Sequence, residues 1–474
     1  MARRWLLLPV LVTLVVGLLG IGVRATHGGQ AAVDEPQYLL SALSLAEDGN
    51  LDISDELAAR RWSAFHQAEL PVQTQSLPGG RAVSPHDPLL PVLLAVPMGA
   101  FGWVGAKVAM VLMAAATAAL LAWVAVRRFG VDQRVAGVAA AVAFASPPLG
   151  IYAQQVYPEV PAALATLVAV AAASAPVVRP RHLLALVLAV STLPWLGLKY
   201  AAVAAALALG AYAVTRRRVP GRHLLWSALA LAGSAAGYLL GHLALYGGVT
   251  PYATGDQFQA TGQLSVIGVH PDYAGRSLRL TGLLVDRTFG LVPWQPALVV
   301  AVAAVAVVAV QGRLPERWLL LAPLGAGWAT ATWVALTMHG FWSPGRQVVV
   351  VLPLLMVVVL LALQRLPRAV AITVAALSLG GVVNLAALLA AGHAGRLTWV
   401  TDFWTVPTPV YQLLARVTPD YRSSHFMAGH LAWVVLLLAS AAVAVRATRG
   451  ATRHTPRVGD PAPALSPSPK GTHA

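Results

Sequence analysis

The chain has 474 residues, 58% of them hydrophobic and 11% charged, whereas soluble domains carry roughly a quarter charged residues, so the bilayer is the solvent for most of this surface. Its net charge of +15 comes from Arg pairs and triplets set between apolar runs rather than from a continuous stripe, which argues against a nucleic-acid partner. No Cys occurs, which excludes disulfides, thiolate metal sites and a cysteine nucleophile.

From the N-terminus, Met1 to Arg4 precede an apolar run from Trp5 to Val23 that is longer than a secretory h-region and has no small-x-small cleavage site, so it is expected to remain as the first helix. Further apolar runs follow at 103 to 126, 135 to 150, 160 to 178, 183 to 198, 200 to 215, 223 to 245, 295 to 311, 318 to 338, 347 to 364, 369 to 391 and 430 to 446. Together they predict an all-α polytopic membrane protein of about 12 transmembrane helices, residues 1–446 forming one membrane domain. Several runs fall short of ~20 residues, notably the pair between 183 and 215, and these must tilt, thin the bilayer or lie inside the bundle. The stretch 447–474 is rich in Pro, Ser, Thr and Arg and is expected to be a disordered cytoplasmic tail.

Lys and Arg concentrate on the side holding Arg3-Arg4, Arg127-Arg128, Arg216-Arg217-Arg218 and Arg365, so both termini are expected in the cytoplasm. Carboxylates divide the other way, with only Asp132, Glu316 and Asp460 inside. Asp and Glu contribute little to orientation, so topology alone does not explain this surplus, and the long outer connections at about 24 to 88, 246 to 294 and 392 to 428 point to function on that face.

The first outer loop opens Asp34-Glu35-Pro36-Gln37-Tyr38 and runs into a stretch with Leu39, Leu43 and Ala46 on one side, expected as an amphipathic interfacial helix. The acidic pair suits a polar headgroup at the helix N-terminus or plain capping. A second short helix is expected near Ser54-Asp55-Glu56, and the loop closes with Ser84-Pro85-His86-Asp87-Pro88, where His86 is a candidate phosphate contact, metal ligand or acid, or part of a turn oriented by Asp87. After the third span, Tyr157-Pro158-Glu159 puts a carboxylate at the outer end of an Ala/Val helix, either functional or favoured there by the helix dipole. Lys199 sits at the outer turn between two short helices, snorkelling or paired to an anion. Arg346, behind Ser343-Pro344-Gly345, stands at a helix mouth where phosphate is the natural partner of a guanidinium. Asp286-Arg287 reads as a local ion pair.

Taken in order, the acidic pair after helix one, the proline-flanked segment around His86, the acidic residue after helix three and Arg346 before helix ten resemble the GT-C superfamily of lipid-phosphate-sugar glycosyltransferases. The nearest likeness is to the protein O-mannosyltransferase-like and aminoarabinose-transferase-like enzymes, from Trp5 to about residue 365. The resemblance implies a GT-C-like bundle in which Asp34 is the catalytic base with Glu35 beside it and Glu159 supports the site. The corresponding interfacial segment often carries Lys and paired prolines in those relatives, where this chain has His86-Asp87-Pro88.

Residue chemistry agrees with that expectation. A lipid phosphate is already a good leaving group and asks for cations to hold its charge, a role open to Lys199, Arg346 and His86, while the attacking hydroxyl asks for a carboxylate. Direct displacement inverts the anomeric centre. The expected partners are therefore a polyprenyl-phosphate sugar donor, a glycan, lipid or protein acceptor, and the bilayer itself, with the site on the non-cytoplasmic face of the plasma membrane. No metal or other cofactor is called for, although a divalent cation bridging carboxylate and phosphate is compatible with these groups. Two other classes remain open: a transporter or flippase, which should show related halves and charged broken helices at mid-membrane, and a non-catalytic scaffold, in which Asp34 and Glu159 would point apart into water.

Overall fold

Within hydrocarbon every backbone N–H and C=O must be paired inside its own segment, so apolar runs punctuated by Arg, Gly and Pro become helices. The computed structural model describes residues 4–453 except 72, 252–270, 313 and 424–426. The order begins α1 (Leu7–Ile21), α2 (Glu35–Glu47), α3 (Ser54–Ala58), a hairpin of β1 (Gln75–Leu77) and β2 (Arg81–Val83), then α4 (Leu89–Phe129) and α5 (Gln133–Phe144). There follow α6 (Leu149–Tyr152), α7 (Glu159–Ala173), α8 (Pro180–Leu196), α9 (Ala201–Thr215) and α10 (Gly221–Tyr246). The C-terminal part contributes long helices at Trp318–Ala329, Leu352–Leu363, Arg368–His393 and Met427–Arg453, with a 3-10 turn at Pro296–Val300 leading into Ala301–Ala309.

Each of the expected spans falls mainly on helical backbone, and among the described residues seven helices are long and apolar enough to cross a membrane, with shorter apolar helices at 133–144, 159–173, 180–196 and 296–309. Leu240, Val435 and Val96 are among the large apolar side chains left exposed at 67%, 66% and 80%, as lipid-facing positions require. The helix expected over 135 to 150 stops at Phe144, ahead of Pro147-Pro148, a pair that disfavours continuing the helix because each proline biases its predecessor away from helical backbone and lacks a backbone N–H. The span expected from 103 starts at Leu89 as one 41-residue element broken at Gly102, whose φ of 62° and ψ of −158° suit only glycine. The last helix continues to Arg453, into the segment expected as tail; residues 454–474 lie outside the described residues.

Packing centres on α4, which lies against α1, α2, α5 and α7. The segment expected as an amphipathic interfacial helix is helical, as α2, and every residue from Glu35 to Ser44 is buried in the protein. The cause is tertiary, because α4 takes one side of α2 and the loop structure beyond it takes the rest. That loop carries the β1–β2 hairpin, in register Gln75↔Val83, Ser76↔Ala82 and Leu77↔Arg81. Gln75 also hydrogen-bonds the carbonyl of Tyr246 at the end of α10, which ties the loop to the bundle.

Candidate active site

Val33, Asp34, Glu35 and Pro36 occupy the entry to α2, and Val33 adopts φ 60°, a conformation that a β-branched residue takes only under constraint from its surroundings. Asp34 occupies the N-cap position but makes no side-chain cap hydrogen bond. Its Oδ2 instead accepts from Arg346 Nη2 at 2.6 Å. The guanidinium turns its Nε to Glu159 Oε1 at 3.0 Å, and the same oxygen accepts from Lys199 Nζ at 2.7 Å. Residues 34, 159, 199 and 346, far apart in sequence, thus form one alternating chain of charge, Asp34–Arg346–Glu159–Lys199.

Local structure fixes each of these groups. Gly345 has φ 77°, and a Cβ there would lie 2.7 Å from Leu291 Cδ2 and 2.9 Å from Pro148 Cγ, so glycine alone permits the turn that launches the 3-10 helix Arg346–Val351. The Arg346 guanidinium lies 4.0 Å from the ring of Tyr157 and 5.4 Å from that of Trp342, which hold a planar cation by its faces while leaving its edges to the carboxylates. Lys199 sits in the 3-10 turn Leu198–Tyr200, anchored where the Leu198 amide donates to Asp87 Oδ2 at 3.1 Å. Glu159, 1% exposed, has a second oxygen without a hydrogen-bond partner among the described residues. Its place is beneath the two cations, where it sets their positions.

His86 joins the group through Nε2, 3.9 Å from Asp34 Oδ1, with its ring stacked on Tyr38 at 4.7 Å. Its Nδ1 lies 3.0 Å from the Pro85 carbonyl oxygen; a carbonyl only accepts, so Nδ1 carries the proton. Burial pushes the imidazole below its ordinary pKa of 6.5, against the pull of Asp34, so at neutral pH Nε2 is a bare acceptor. Burial likewise raises the Asp34 carboxyl, but the charge and hydrogen bond of Arg346, together with Lys199, outweigh it and the group rests below 3.8. Asp34 is therefore ionised throughout the neutral range.

Asp34, His86, Lys199 and Arg346 line one end of a cavity of about 390 Å³, whose other walls include Val203, Ala331, Val334, Leu336 and Val350. A charged end and an apolar flank suit a ligand that is itself part anion and part hydrocarbon.

Glu35 is the correction. It was expected beside Asp34 in the chemistry, but it is wholly buried, accepting from the Val156 amide at 2.8 Å and the Ala32 amide at 3.2 Å, with Lys107 Nζ 3.8 Å away. Adjacent helical residues point about 100° apart, so when Asp34 faces the cavity its neighbour faces the protein. Lys107, also fully buried, donates to the Gln30 carbonyl at 2.8 Å and to Gln154 Oε1 at 3.2 Å. Sequence reasoning passed over Lys107, although a lone lysine inside an apolar run was the available signal. Nor was the partnership of Asp87 foreseen: besides Leu198 it accepts from Tyr238 OH at 2.8 Å and lies 3.1 Å from His242 Nε2. The local pair expected of Asp286 and Arg287 gives way to other partners, since Asp286 receives the amides of Thr288, Phe289 and Tyr421 and stands 3.2 Å from His339.

No family model matches the chain, and no curated protein does. Among solved structures, the crystal structure of ArnT from Cupriavidus metallidurans in the apo state matches 94% of this chain and 72% of its own, with a TM-score of 0.51 at 17% identity. The crystal structure of ArnT from the same organism bound to undecaprenyl phosphate matches 95% of this chain and 73% of its own, with a TM-score of 0.49 at 15% identity. The first of these shows a shared fold, an all-helical polytopic membrane architecture.

Proposed function

From a fold shared with ArnT, and from the charged chain that ends in its cavity, we propose that the protein is an integral membrane glycosyltransferase that moves a sugar from a polyprenyl-phosphate donor to a hydroxyl acceptor. The observation that carries this reading is the convergence of Asp34, Arg346 and Lys199, the two cations joined by the buried Glu159, at the charged end of a cavity whose other walls are largely apolar. An isolated carboxylate would suit many functions. A carboxylate beside two cations in a partly apolar pocket suits displacement of a lipid phosphate by an alcohol.

In the step proposed, the acceptor oxygen attacks the anomeric carbon and forms the new glycosidic bond as the bond from that carbon to the phosphate oxygen breaks. The electron pair leaves with the polyprenyl phosphate, whose negative charge Arg346 and Lys199 hold. The acceptor's proton passes to Asp34, and single displacement inverts the anomeric centre. His86 contributes beside the base and not at the phosphate, because its Nε2 has no proton to offer an anion. A hydroxyl lodged between Nε2 and Asp34 Oδ1 would be oriented by both. Because the resting site already holds a cation between its two carboxylates, the step needs no metal to bring the phosphate in.

Arg346 gives the site an order of events. In the structure the guanidinium pairs with Asp34; a donor phosphate would compete for that guanidinium and release the carboxylate to act as a base. The positive-inside distribution of Lys and Arg supports placing the termini in the cytoplasm of a plasma-membrane protein and the cavity at the opposite face. Substituting Asp34→Asn keeps the shape and removes the base. With purified protein in nanodiscs and a polyprenyl-phosphate sugar, transfer should fall by roughly 10²–10⁴-fold while the unfolding temperature stays within a few degrees. Unchanged transfer would refute the assignment, and movement of the lipid across the bilayer without release of sugar would favour a flippase.

A further inference from the structure

At the opposite end of α2 from Asp34, the chain reads Asp48-Gly49-Asn50-Leu51-Asp52-Ile53-Ser54-Asp55-Glu56. We infer that Asp48, Asp55 and Glu56 form a binding site for a divalent cation of the calcium type, outside the charged cavity and independent of the transfer reading. One ligand oxygen from each of the three lies within 4.8 Å of the others. A Ca²⁺ ion with oxygen ligands at about 2.3–2.6 Å spans roughly 4.6–5.2 Å between opposite ligands, so the group fits that ion as it stands.

Acidic residues gather on many surfaces without binding anything, and the distinguishing observation here is Glu56. Its side chain is 2% exposed, and neither carboxylate oxygen has a hydrogen-bond partner among the described residues. A buried carboxylate left in that state is costly unless something pairs with it. The guanidinium nearby is already used, since Arg61 is held bidentately by Glu47 at 2.7 and 2.8 Å. Asp48 and Asp55 stand exposed at the rim, where water can complete the coordination of an ion that takes six to eight oxygens.

The fold of the loop prepares this arrangement. Gly49, at φ 70°, turns the chain out of α2. Asn50 Oδ1 accepts from the Asp52 amide at 2.7 Å, and Asp52 Oδ1 accepts from the amides of Ser54 at 3.2 Å and Ala82 at 2.9 Å. Those two side chains fold the loop and bind it to the hairpin, which leaves the carboxylates at 48, 55 and 56 to converge. An all-oxygen, all-anionic ligand set selects a hard cation. The ion would join the end of α2 to the start of α3 and, through Asp52, to the strand that leads to His86.

The test uses the full chain in phosphatidylcholine nanodiscs after removal of divalent ions with EDTA. Equilibrium binding of radioactive Ca²⁺ at pH 8 should reach one ion per chain and raise the unfolding temperature by several degrees. Glu56→Gln should abolish binding while matching or exceeding the parent's unfolding temperature in EDTA, because it removes a buried charge and keeps its shape. Asp48→Asn should abolish binding as well, which separates loss of the site from loss of the loop. Absence of stoichiometric binding by the parent at pH 8, or binding that survives Glu56→Gln, would overturn the site. Mg²⁺ binding as tightly as Ca²⁺ would overturn the calcium assignment, and stability that merely falls as pH rises, with no response to either ion, would replace the cation with a proton shared between Asp55 and Glu56.

Discussion

Asp34 and Glu35 are neighbours in sequence and opposites in use. One leans on Arg346 at the edge of the cavity and the other on Lys107 and two backbone amides inside the protein. Burial and Arg346 act on Asp34 in opposite directions, and the guanidinium prevails. The sign for stability follows: the folded carboxyl rests below its unfolded value of 3.8, so its contribution is complete above that pH and is lost as pH falls through the folded value. Substituting Arg346→Gln leaves burial unopposed by its main partner, so the Asp34 carboxyl should move up. The acid limb of kcat/KM for the residual transfer should shift to higher pH, and a limb that stays where the parent has it would mean that Asp34 is not the titrating base. At this scale the sequence made the charges at the ends of apolar runs visible, because an ionisable group bordering hydrocarbon needs a reason to be there. It could not separate Asp34 from Glu35, since a one-residue difference of helical phase decides which way each points. The rings of Tyr157 and Trp342 around Arg346 escaped notice because aromatic residues are common near membrane interfaces.

Elements supply the rigidity behind these contacts. Gly345 lets the chain turn into the Arg346 helix at a positive φ in a space that excludes a Cβ. Gly345→Ala should therefore displace the guanidinium, raising the KM for donor tenfold or more with a smaller effect on kcat, as steady-state rates against donor concentration would show. The Glu35–Lys107 pair is fully buried, so removing one partner strands the other charge. Glu35→Gln or Lys107→Met alone should cost about 3–5 kcal/mol. The double substitution should recover much of that loss in a mixed-micelle unfolding titration, and additive losses would show that the two do not depend on each other. Helix positions were legible because the apolar runs are long. The burial of α2 was not, because its sequence reads equally well against lipid or against protein; only packing beneath the loop decides between them.

Across the whole molecule, the arrangement of helices puts Asp34, His86 and the hairpin loop at one end of the bundle's spans and the Arg-rich turns at the other, which makes sidedness testable. The chain has no Cys, so single cysteines can be introduced without clearing a background. Ser63 and Arg217 are exposed in the structure. With a membrane-impermeant maleimide, Ser63→Cys should label in intact cells and Arg217→Cys only after permeabilisation; the reverse pattern would turn the protein over and move the cavity to the cytoplasm. Lys107 carries a last consequence for how the chain is made. Lys107 lies five residues past the break at Gly102, near the outer end of the span, where a lysine costs less than the roughly 2.5–3.5 kcal/mol it costs at a helix centre but still needs a partner, and Glu35 is synthesised before it. Partner and lysine can meet while α4 is leaving the translocon, so a chain lacking Glu35 should be lost first during biogenesis, as poor insertion and rapid degradation, before any finished protein is there to unfold.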